Sequence, residues 1–389
     1  MADRIRVLFA IGEMSGGGSQ RQLLGILRLL DRSRFEPQLY IVSPAGELLG
    51  EVPPDVPVHI FGQRNPRQRP IYPGRAHRAR VRDLATVLHE QRIDVVYDRT
   101  YHMTLITAGA VQQRPTPRVS VIVTDPKRDF ETNRERFSWM KRWLLKRAYQ
   151  SADSVVAVSE GVRQAAVELF DLPSEKTRTL YNFFDIERID LSMAEPLPPA
   201  ELRSADRFEI VAAGRLHPQK GFMYLLEAIR ELVQNRGRRQ IHLRILGTGP
   251  LEHALSDYVS EHALQPYVTL AGFRTNPLPY YRQADLFCLS SLYEGMPNAL
   301  VEAMLCRTPV LATDCPSGPA EILAGGQFGR LVPPADWRAI ADAIDDALNN
   351  PPTWRSIVPA ARAHIEQTFA PEQGMQQLEE LLVSVARAS

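Results

Sequence analysis

Two glutamates eight residues apart, Glu294 and Glu302, flank the turn Gly-Met-Pro-Asn in this chain of 389 residues. Proline suits the first turn of a helix, so the sequence predicts that a helix begins at this turn. Glu294 would lie just before the helix N-terminus, and Glu302 about two turns along, near the same face. A helix N-terminus attracts anions, and carboxylates accept hydrogen bonds from sugar hydroxyls. The stretch therefore predicts a site for a sugar–diphosphate–nucleoside.

A second chemical pattern follows an apolar run at 208–213. Residues 214–221 read Gly-Arg-Leu-His-Pro-Gln-Lys-Gly and place Arg215 and Lys220 at a strand-to-helix turn. Two cations at such a turn can clamp a diphosphate, and the glycines let the backbone approach it. The spacing does not match a Walker loop, which disfavours ATP hydrolysis of that type. A solvated basic turn is the alternative, and the glutamate pair makes the diphosphate the preferred interpretation.

A third pattern, Gly16-Gly17-Gly18-Ser19, comes directly after the first apolar run. Ser19 and Gln22 form a capping-box pattern that predicts a helix over 19–31. Three glycines let a ligand approach the backbone, and a purely structural tight turn is the alternative. Gly247, in Leu-Gly-Thr-Gly, is a weaker signal because the full dinucleotide fingerprint is absent.

The elements that position these residues follow from the pattern of the chain. Short apolar runs alternate with amphipathic stretches, which predicts an α/β fold of two Rossmann-like domains with parallel sheets. We expect ligands at the carboxyl ends of the strands and in a cleft between the domains. The polar, proline-containing stretch 186–207 is the predicted linker. Strands are predicted at 5–11, 37–43, 93–97, 118–123, 153–158, 208–214, 241–246, 267–272, 285–289 and 309–313, and amphipathic helices at 19–31, 221–236, 251–263 and 336–349.

Composition narrows the class of protein. The chain is 44% hydrophobic and 23% charged, with a formal net charge of +1, which is ordinary for a soluble protein of two domains. Cys288, Cys306 and Cys315 match neither a zinc motif nor a disulfide framework, so we expect a reducing, cytoplasmic setting. The N-terminus predicts a strand rather than a signal peptide, and no apolar stretch is long enough to span a membrane.

The motifs at 214–221 and 294–302, with Thr-Pro-Val-Leu-Ala-Thr-Asp-Cys-Pro-Ser-Gly-Pro-Ala-Glu-Ile-Leu at 308–323, resemble glycosyltransferase family 4. The resemblance is specific over 208–334 and looser over 1–185, where the glycines at 16–18 and the segment 151–160 still fit. These sequence motifs are similar to those of enzymes that build bacterial surface polysaccharides or lipid-linked oligosaccharides. It implies the GT-B architecture, with an acceptor-side domain at 1–187 and a nucleotide-sugar domain at 188–369 that face each other across a cleft. The last helix, 370–389, would pack back on the first domain.

The resemblance also implies residue roles. Arg215 and Lys220 would hold the donor diphosphate and stabilise the departing nucleotide, Glu302 would bind the ribose, and Glu294 the transferred sugar. Phe273 would bind the base through its backbone, with core packing as the alternative. The other residues implied on the donor side are Gly16, Gly17, Gly18, Gly247, Gly295, Met296, Pro297, Asn298, Ala299 and Leu300.

The chain departs from this family at one catalytic position. Many members carry a histidine after the strand that corresponds to 119–123, whereas this chain has Thr124-Asp125-Pro126. Asp125 could take over that role or be a loop residue. His102, which follows another predicted strand, is the second candidate, with a structural role as its alternative.

No two aspartates are two residues apart, so the Asp-x-Asp metal clamp of other glycosyltransferases is absent from the sequence. Arg215 and Lys220 can supply the compensating positive charge. We therefore expect no metal or other cofactor, and activity in the presence of a chelator.

Two basic segments bear on location. Within 64–82 seven arginines occur without an acid before Asp83, and a helix over 136–150 would carry Trp139, Arg142, Trp143, Lys146 and Arg147 on one face. Met140, Leu144 and Leu145 are predicted to face the other way. Cations mixed with tryptophan suit an anionic membrane surface or the phosphates of a lipid-linked acceptor. A solvated face with tryptophan packed on the domain is the alternative. The seven arginines are Arg64, Arg67, Arg69, Arg75, Arg78, Arg80 and Arg82.

Taken together, the residues and the resemblance predict a retaining glycosyltransferase. It would move a hexose or N-acetylhexosamine from a nucleotide sugar, preferably a UDP-sugar, to a glycan or lipid-linked acceptor. The alternatives are a sugar-nucleotide epimerase or hydrolase on the same fold, and a non-catalytic sugar-nucleotide-binding subunit of a polysaccharide assembly complex. Nucleic-acid binding is disfavoured because base-stacking aromatics do not accompany the basic runs. The expected location is cytoplasmic, with peripheral attachment to the inner face of the plasma membrane.

Overall fold

The computed structural model describes residues 4–64, 74–132 and 137–387. The chain divides into two compact units, one of Met1–Phe183 together with Pro371–Ser389, and one of Phe184–Ala370. The sequence placed the first boundary at 187/188 and the returning segment at 370. Arg67 and Arg69 of the predicted basic segment lie outside the described residues.

The first unit is built on seven parallel strands. Its sheet has the order β3-β2-β1-β4-β5-β6-β7, where these labels denote β1 (Ile5–Ile11), β2 (Phe35–Ile41), β3 (Val58–Ile60), β4 (Val95–Arg99), β5 (Arg118–Ile122), β6 (Ser154–Ala157) and β7 (Thr177–Thr179). Its helices are α1 (Gly18–Leu29), α2 (Phe61–Arg64), α3 (Arg75–Glu90), α4 (Tyr101–Gln113), α5 (Pro126–Thr132), α6 (Ser138–Gln150) and α7 (Glu160–Phe170).

The centre of this sheet is almost fully buried. In the register that pairs β1 with β4, Val7 lies opposite Val95 and Phe9 opposite Tyr97. All four of these side chains are at most 2% exposed, because helices cover both faces of a parallel sheet. On one face α4 packs against both α3 and α6. The apolar runs of the sequence therefore become the inner strands, and the amphipathic stretches become the covering helices.

The second unit repeats the architecture with six parallel strands in the order β10-β9-β8-β11-β12-β13. These are β8 (Phe208–Ala213), β9 (Ile241–Leu246), β10 (Val268–Gly272), β11 (Leu286–Leu289), β12 (Val310–Thr313) and β13 (Arg330–Val332). The helices are α8 (Ile186–Met193), α9 (Phe222–Arg230), α10 (Glu252–Glu261), α11 (Leu278–Gln283), α12 (Asn298–Leu305), α13 (Pro319–Ile322), α14 (Trp337–Asn349), α15 (Pro351–Ser356) and α16 (Val358–Thr368). The last helix, α17 (Pro371–Arg387), belongs to the first unit.

The helix α17 is tied to the first unit by a carboxylate. Glu379, which is 9% exposed, accepts hydrogen bonds from the backbone N–H of Asp31 at 3.0 Å and from Arg34 at 2.8 Å. A buried carboxylate needs such partners, so α17 is fixed in position against the segment that follows α1.

Two parallel-sheet Rossmann-like units confirm the predicted fold class, and each of the ten predicted strands overlaps an observed one. The sequence missed β3, β7 and β13, which have three residues each and are too short to show a pattern. The stretch 186–207 is not an open linker, because it contains α8. Asp190 of α8 pairs with Arg362 of α16 at 2.7 Å. Among the described residues, no helix has the length and apolar character needed to cross a membrane.

Candidate active site

The order of the strands brings two pairs of loops together. In each sheet the winding changes direction between two neighbouring strands, β1 and β4 in the first and β8 and β11 in the second. Ligands of doubly wound sheets bind beyond the carboxyl ends of the strands at this switch point. The loops after β8 and β11 contain residues 214–221 and 290–297, so the second sheet unites the two strongest sequence patterns.

A buried ion pair joins these two loops. Lys220 Nζ donates to Glu294 Oε1 at 2.5 Å, and Ser291 Oγ donates to the same oxygen at 2.6 Å. The side chain of Glu294 is 6% exposed and that of Lys220 is 20% exposed. No described residue donates a hydrogen bond to the other carboxylate oxygen, Oε2. One oxygen of Glu294 therefore holds the loops together, and the other can accept from a ligand hydroxyl.

Two glycines permit close contacts of the loop after β8, one with the loop after β11 and one with the loop after β9. Gly221 has φ +63°, and a Cβ at this position would lie 2.0 Å from the carbonyl oxygen of Ser290. Gly247 has φ +139°, and its Cβ would lie 2.0 Å from the carbonyl oxygen of Gly214. Only glycine fits such positions without backbone movement. The structure thus places Gly247 against the backbone of the predicted diphosphate loop.

The side chain of Arg215 differs from that of Lys220 in having no partner among the described residues. Its side chain is exposed, and it makes no hydrogen bond or ion pair with any described residue. A guanidinium at the carboxyl edge of the sheet offers a planar set of donors to an anion. The loop after β8 therefore carries one engaged cation and one unengaged cation.

The helix predicted at the glutamate pair is α12, but it begins later than the eight-residue spacing assumed. It starts at Asn298, with Pro297 as the N-cap residue, so Glu294 lies in the preceding loop. Glu302 is the fifth helical residue and is half-buried, about one turn into the helix rather than two. The helical estimate was wrong because residues 294–297 are not helical.

The neighbouring predicted donor residues offer mainly backbone. Met296 and Leu300 are buried at 7% and 0% exposure, while Asn298 and Ala299 are half-buried in the first turn of α12. Gly295 is held closely, since a Cβ on Gly318 would lie 2.7 Å from its carbonyl oxygen. The first N–H groups of α12 face the same edge of the sheet as Lys220, which suits an anion.

Phe273 follows the edge strand β10 and is half-buried. Its carbonyl oxygen accepts from the side chain of Arg274 at 3.2 Å. Arg274 also donates to the hydroxyl of Tyr280 at 2.8 Å and pairs with Glu201. Phe273 therefore lies at the carboxyl edge of the sheet, where β10 and β9 end, and its carbonyl oxygen is held in place by Arg274.

Sequence reasoning missed the residues that support the ion pair. Besides Ser291, these are Gln219, whose amide donates to the carbonyl of Tyr293 at 3.0 Å, and Thr313, whose hydroxyl donates to the carbonyl of Ser291 at 2.5 Å. Polar residues in loops are common, and their partners lie far away in sequence. No signal in the chain distinguished them.

All three cysteines are buried in the second unit, and burial raises the pKa of each thiol, that of Cys288 to about 12. Glu294 raises the pKa of Cys315 further. Thiolate chemistry is therefore suppressed around this site.

In the first unit the glycine-rich loop after β1 does not form the predicted capping box. Helix α1 begins at Gly18 with Gly17 as N-cap, and no side chain caps it, so Ser19 lies inside the helix. Gln22 is 5% exposed, and its amide bonds with the backbone N–H and carbonyl of Phe183 at 3.2 and 3.1 Å. The carbonyl of Gly16 accepts from Arg21 at 3.3 Å. The loop is held by backbone and arginine contacts.

His102 lies after β4, at the switch point of the first sheet. It is the second residue of α4 and is exposed, and its Nε2 lies 2.9 Å from Arg80 Nη1. Partial desolvation, then Arg80 and His77, lower the pKa of His102 below its usual value. The preceding Thr100 has φ +81°, a strained conformation for a β-branched residue and one that clusters at functional sites.

Asp125 follows β5 and is only 4% exposed. Its Oδ1 accepts from the backbone N–H of Arg128 at 3.0 Å, and its carbonyl accepts from the N–H of Asp129 at 3.0 Å. These bonds cap the N-terminus of α5. Asp125 therefore has a structural role in this unit, whereas His102 stands at the open edge.

Two family models match the chain. Residues 16–188 match Glycosyltransferase Family 4, and residues 207–350 match Glycosyl transferases group 1. These segments contain the site residues described above in each unit.

Relatives of known or assigned function cover part of the chain. Over 195 residues it is 31% identical to the N-acetylgalactosamine-N,N'-diacetylbacillosaminyl-diphospho-undecaprenol 4-alpha-N-acetylgalactosaminyltransferase of Campylobacter jejuni, which covers 50% of this chain and 50% of that protein. Over 222 residues it is 30% identical to the amylovoran biosynthesis glycosyltransferase AmsK of Erwinia amylovora, covering 55% and 52% of the two chains. The chain thus spans about half the length of the curated relatives it matches.

Solved structures share the whole fold. HepE of Anabaena in complex with UDP and glucose superposes with a TM-score of 0.82 at 22% identity, covering 98% of this chain and 100% of that one. Sucrose-phosphate synthase of Thermosynechococcus elongatus gives a TM-score of 0.81 at 18% identity, covering 99% and 100%. The family matches confirm the resemblance found in the sequence: the chain contains a Glycosyltransferase Family 4 domain at residues 16–188 and a Glycosyl transferases group 1 domain at residues 207–350.

Proposed function

We propose that this protein is a retaining glycosyltransferase that uses a UDP-sugar as donor. It transfers a hexose or N-acetylhexosamine to a glycan or lipid-linked acceptor. The acceptor oxygen bonds to the anomeric carbon as the bond from that carbon to the diphosphate breaks, and the acceptor proton leaves with UDP. Retention of the anomeric configuration rests on the family resemblance.

The observation that carries the proposal is the Lys220–Glu294 pair beside the unengaged Arg215 at the switch point of the second sheet. Breaking the bond to the anomeric carbon places negative charge on the leaving diphosphate. Fixed cations at that point stabilise the transition state more than the bound donor, which accelerates the reaction. Arg215 and Lys220 are suited to this work because they lie five residues apart in the same loop, 214–221.

Glu294 and Glu302 serve the two hydroxyl-bearing ends of the donor in this proposal. Oε2 of Glu294 has no protein donor among the described residues, so it can accept from hydroxyls of the transferred sugar. Glu302, one turn into α12, would accept from the ribose. The backbone of residues 295–299, with the first turn of α12, lies between them for the diphosphate.

On the acceptor side we propose His102 in preference to Asp125. His102 is exposed at the carboxyl edge of the first sheet, next to Arg80. Asp125 is buried and its Oδ1 is engaged in capping α5. Gly16 and Gly17, in the loop after β1, are neighbours of His102 in the order of the sheet and would line the same acceptor side.

The relatives support the choice of substrates. The name of the Campylobacter jejuni relative includes a diphospho-undecaprenol acceptor, and HepE was solved with UDP and glucose. We propose the same classes for this chain, with no metal ion required, in a cytoplasmic setting with peripheral attachment to the inner face of the plasma membrane.

Thermal unfolding with UDP, GDP, ADP and their sugar conjugates, all with EDTA present, tests the donor site. A ligand at 100 times its Kd stabilises the folded protein by about 2.7 kcal/mol, which moves Tm by several degrees. We expect UDP and one UDP-sugar to shift Tm, and Arg215→Ala to remove the shift. The matched control is Arg239→Ala, because Arg239 is exposed and precedes β9, at the opposite edge of the sheet.

Turnover is then measured as UDP release with lipid-linked and glycan acceptors in the same buffer. UDP release that depends on acceptor supports transfer, whereas release without acceptor would indicate a hydrolase. A strict need for Mn²⁺ or Mg²⁺ would contradict the metal-independent mechanism. Absence of any Tm shift with all three nucleotides would contradict the donor site itself.

A further inference from the structure

Helix α6 of the first unit exposes an unusual concentration of large apolar side chains. Of nine such residues that are exposed in the described part of the chain, five lie on or next to the first half of this helix. Their exposed fractions range from 39% to 71%, and Trp139 is the most exposed of the five. We call these five residues the α6 patch: Phe137, Trp139, Met140, Trp143 and Leu144.

The patch exists because only the second half of α6 packs on the unit. The buried side chains of this helix are Leu145, Ala148 and Tyr149, all in its last six residues. Met140 and Leu144, which the sequence predicts to face away from the tryptophans, are 42% and 39% exposed. In the first half of α6, Met140 and Leu144 are therefore exposed together with the two tryptophans.

A rim of positive charge surrounds the patch. Helix α6 carries Lys141, Arg142, Lys146 and Arg147 and has no acidic residue. Arg147 lies over the ring of Trp143 at 4.9 Å, and Arg142 donates to the carbonyl of Leu169 at 3.3 Å. Lys146 makes a long contact of 3.5 Å with Asp171, whose side chain is 85% exposed. Among the described residues, no acid pairs with Arg142 or Arg147.

Two acids of the neighbouring helices are paired with cations that lie outside α6. Glu131 of α5 pairs with Arg128 of the same helix at 2.9 Å. Glu168 of α7 pairs with Lys127. Arg142 and Arg147 of the rim are exposed beside the apolar residues of the patch.

We propose that the α6 patch docks on the surface of a bilayer that contains anionic lipids. Indole rings favour the zone between headgroups and acyl chains because they are apolar with one polar N–H. Lysine and arginine can lay their apolar stems along the same surface and keep their charges among the headgroups. A helix of this composition lies in the plane of the interface, with its apolar face inserted. The positive rim selects anionic over zwitterionic lipid.

The position of α6 relates membrane docking to acceptor binding, and this step rests on the proposed function. Helix α6 precedes the parallel strand β6, so its N-terminal half lies towards the carboxyl edge of the first sheet. His102 and the loop with Gly16 and Gly17 lie at the same edge, and α4 packs against α6. Docking through the patch would bring the acceptor-side loops of this unit towards the headgroups, where the diphosphate of a lipid-linked acceptor lies.

Co-sedimentation of the full chain with sucrose-loaded vesicles tests the docking without any need for activity. The vesicles contain phosphatidylcholine alone or phosphatidylcholine mixed with phosphatidylglycerol. We expect binding to the anionic vesicles that weakens with salt, and quenching of tryptophan fluorescence by brominated lipid. Trp139 and Trp143 are two of four tryptophans, so the double variant Trp139→Ala/Trp143→Ala must remove that quenching.

The same double variant should reduce binding at least about tenfold, because it removes most of the aromatic area of the patch. Arg142→Gln/Lys146→Gln should reduce binding to anionic vesicles by roughly fivefold per charge. The control is Leu191→Ala/Leu202→Ala, because these leucines of the second unit are 76% and 50% exposed. All of these positions are exposed, so the variants should fold, and their Tm values check this.

Three results would overturn the docking proposal: no binding to anionic vesicles, equal binding of the Trp139→Ala/Trp143→Ala variant, or equal binding to both kinds of vesicle. A fourth would be a dimer in solution that this double variant dissociates, since the patch would then be an interface between copies. The UDP-induced Tm shift should be unchanged in the patch variants. If UDP caused no Tm shift in the wild-type chain, the proposed function would be contradicted, but the result of the vesicle experiment would remain valid.

Discussion

Replacing Glu294 by glutamine removes one charge from the centre of the candidate active site and keeps its shape. In the structure Oε1 of Glu294 accepts from Lys220 at 2.5 Å and from Ser291 at 2.6 Å. The amide oxygen of glutamine can still accept both hydrogen bonds. What changes is that the Lys220 ammonium loses its counter-charge in a site where the carboxylate side chain is only 6% exposed.

The cost to stability follows from these contacts. Removing one partner of a fully buried ion pair costs about 3–5 kcal/mol, because the remaining charge is left without compensation. Lys220 is 20% exposed, so its flexible stem can carry the ammonium towards water, which lowers the cost. A hydrogen bond to a charged group contributes about 1.5–3 kcal/mol, and glutamine retains part of it. We expect the ligand-free Glu294→Gln variant to lose about 2 kcal/mol, or roughly 4–8 °C in Tm for a unit of this size.

Donor binding should change in the opposite direction for UDP and for the UDP-sugar. Lys220, released from Glu294, is free to pair with the diphosphate, so the Tm shift caused by UDP should be retained or should increase. The extra shift of the UDP-sugar over UDP should be lost, because the carboxylate that accepts from sugar hydroxyls is gone. Turnover, measured as acceptor-dependent UDP release, should fall about 100-fold, which corresponds to about 2.7 kcal/mol of transition-state stabilisation.

The control is Glu252→Gln, since Glu252 is an exposed residue in the first turn of α10. It should leave Tm, both nucleotide shifts and turnover unchanged. Equal losses of the UDP and UDP-sugar shifts in Glu294→Gln would refute the reasoning, because Glu294 would then serve the loop and not the sugar. Full activity with an unchanged Tm would refute it as well.

Other contacts lead to further expectations. Gly221→Ala should lower the free energy of unfolding, measured in urea, by at least about 2 kcal/mol and should remove the Tm shift caused by UDP, because the new Cβ would lie 2.0 Å from a carbonyl oxygen. The control is Gly237→Ala, which has φ +69° and no atom within 4 Å and should lose only about 1 kcal/mol. Asp125→Asn should keep the cap of α5 and change the stability of the protein by no more than about 0.5 kcal/mol, whereas Asp125→Ala should lose about 1 kcal/mol. A large loss of turnover in the stable Asn variant would show a catalytic role for Asp125 instead. Glu160 has its pKa lowered to about 2 by Arg163, Thr179 and Gln164, so its stabilisation is present above pH 4.5 and is lost as the pH falls towards 2. Because this carboxylate is 38% exposed, Glu160→Gln should remove only about 1 kcal/mol of that acid dependence in unfolding curves measured between these pH values.

The architecture was largely predictable from the sequence because parallel strands buried on both faces leave long apolar runs. β8 and the loop at 214–221 show this well: strand, basic turn and helix α9 follow one another as the pattern indicated. The strands β3, β7 and β13 escaped because three residues carry no period. The glycines at 16–18 are visible in the sequence as a loop after β1. The capping-box pattern at Ser19 is misleading, because Gly17 already occupies the N-cap position of α1.

The sequence identifies individual residues of the site but does not show which of them come into contact. Lys220 and Glu294 were both singled out, yet they are 74 residues apart, and only the adjacency of β8 and β11 makes them a pair. The spacing of Glu294 and Glu302 was interpreted as two helical turns because a helix start cannot be located within a few residues from sequence. Likewise the helical period of α6 separates Met140 and Leu144 from the tryptophans, but it does not show whether either face is covered. Packing depends on where the helix extends beyond its neighbours, which no local pattern records.

The charge around His102 bears on the nature of the acceptor. Arg80 lies 2.9 Å from His102 Nε2, and His77 is close enough to lower its pKa. Partial desolvation and then Arg80 lower the pKa of His77 in turn. The nearest acid on α3, Asp83, is already engaged by Arg64 at 3.1 Å and by the hydroxyl of Tyr40 at 2.9 Å. A neutral glycan would gain little from such a cluster, whereas a phosphate of a lipid-linked acceptor would compensate it.

An anion bound at this cluster would favour the protonated form of both histidines and raise their pKa values. Binding of a phosphorylated acceptor should therefore strengthen as the pH falls towards 6, and binding of a neutral glycan should not. The KM for each acceptor across this range, compared between the wild-type chain and His102→Gln, separates the two. A pH-independent KM for the phosphorylated acceptor would contradict the assignment, because an anion bound beside His102 raises the pKa of this histidine and so couples binding to its protonation.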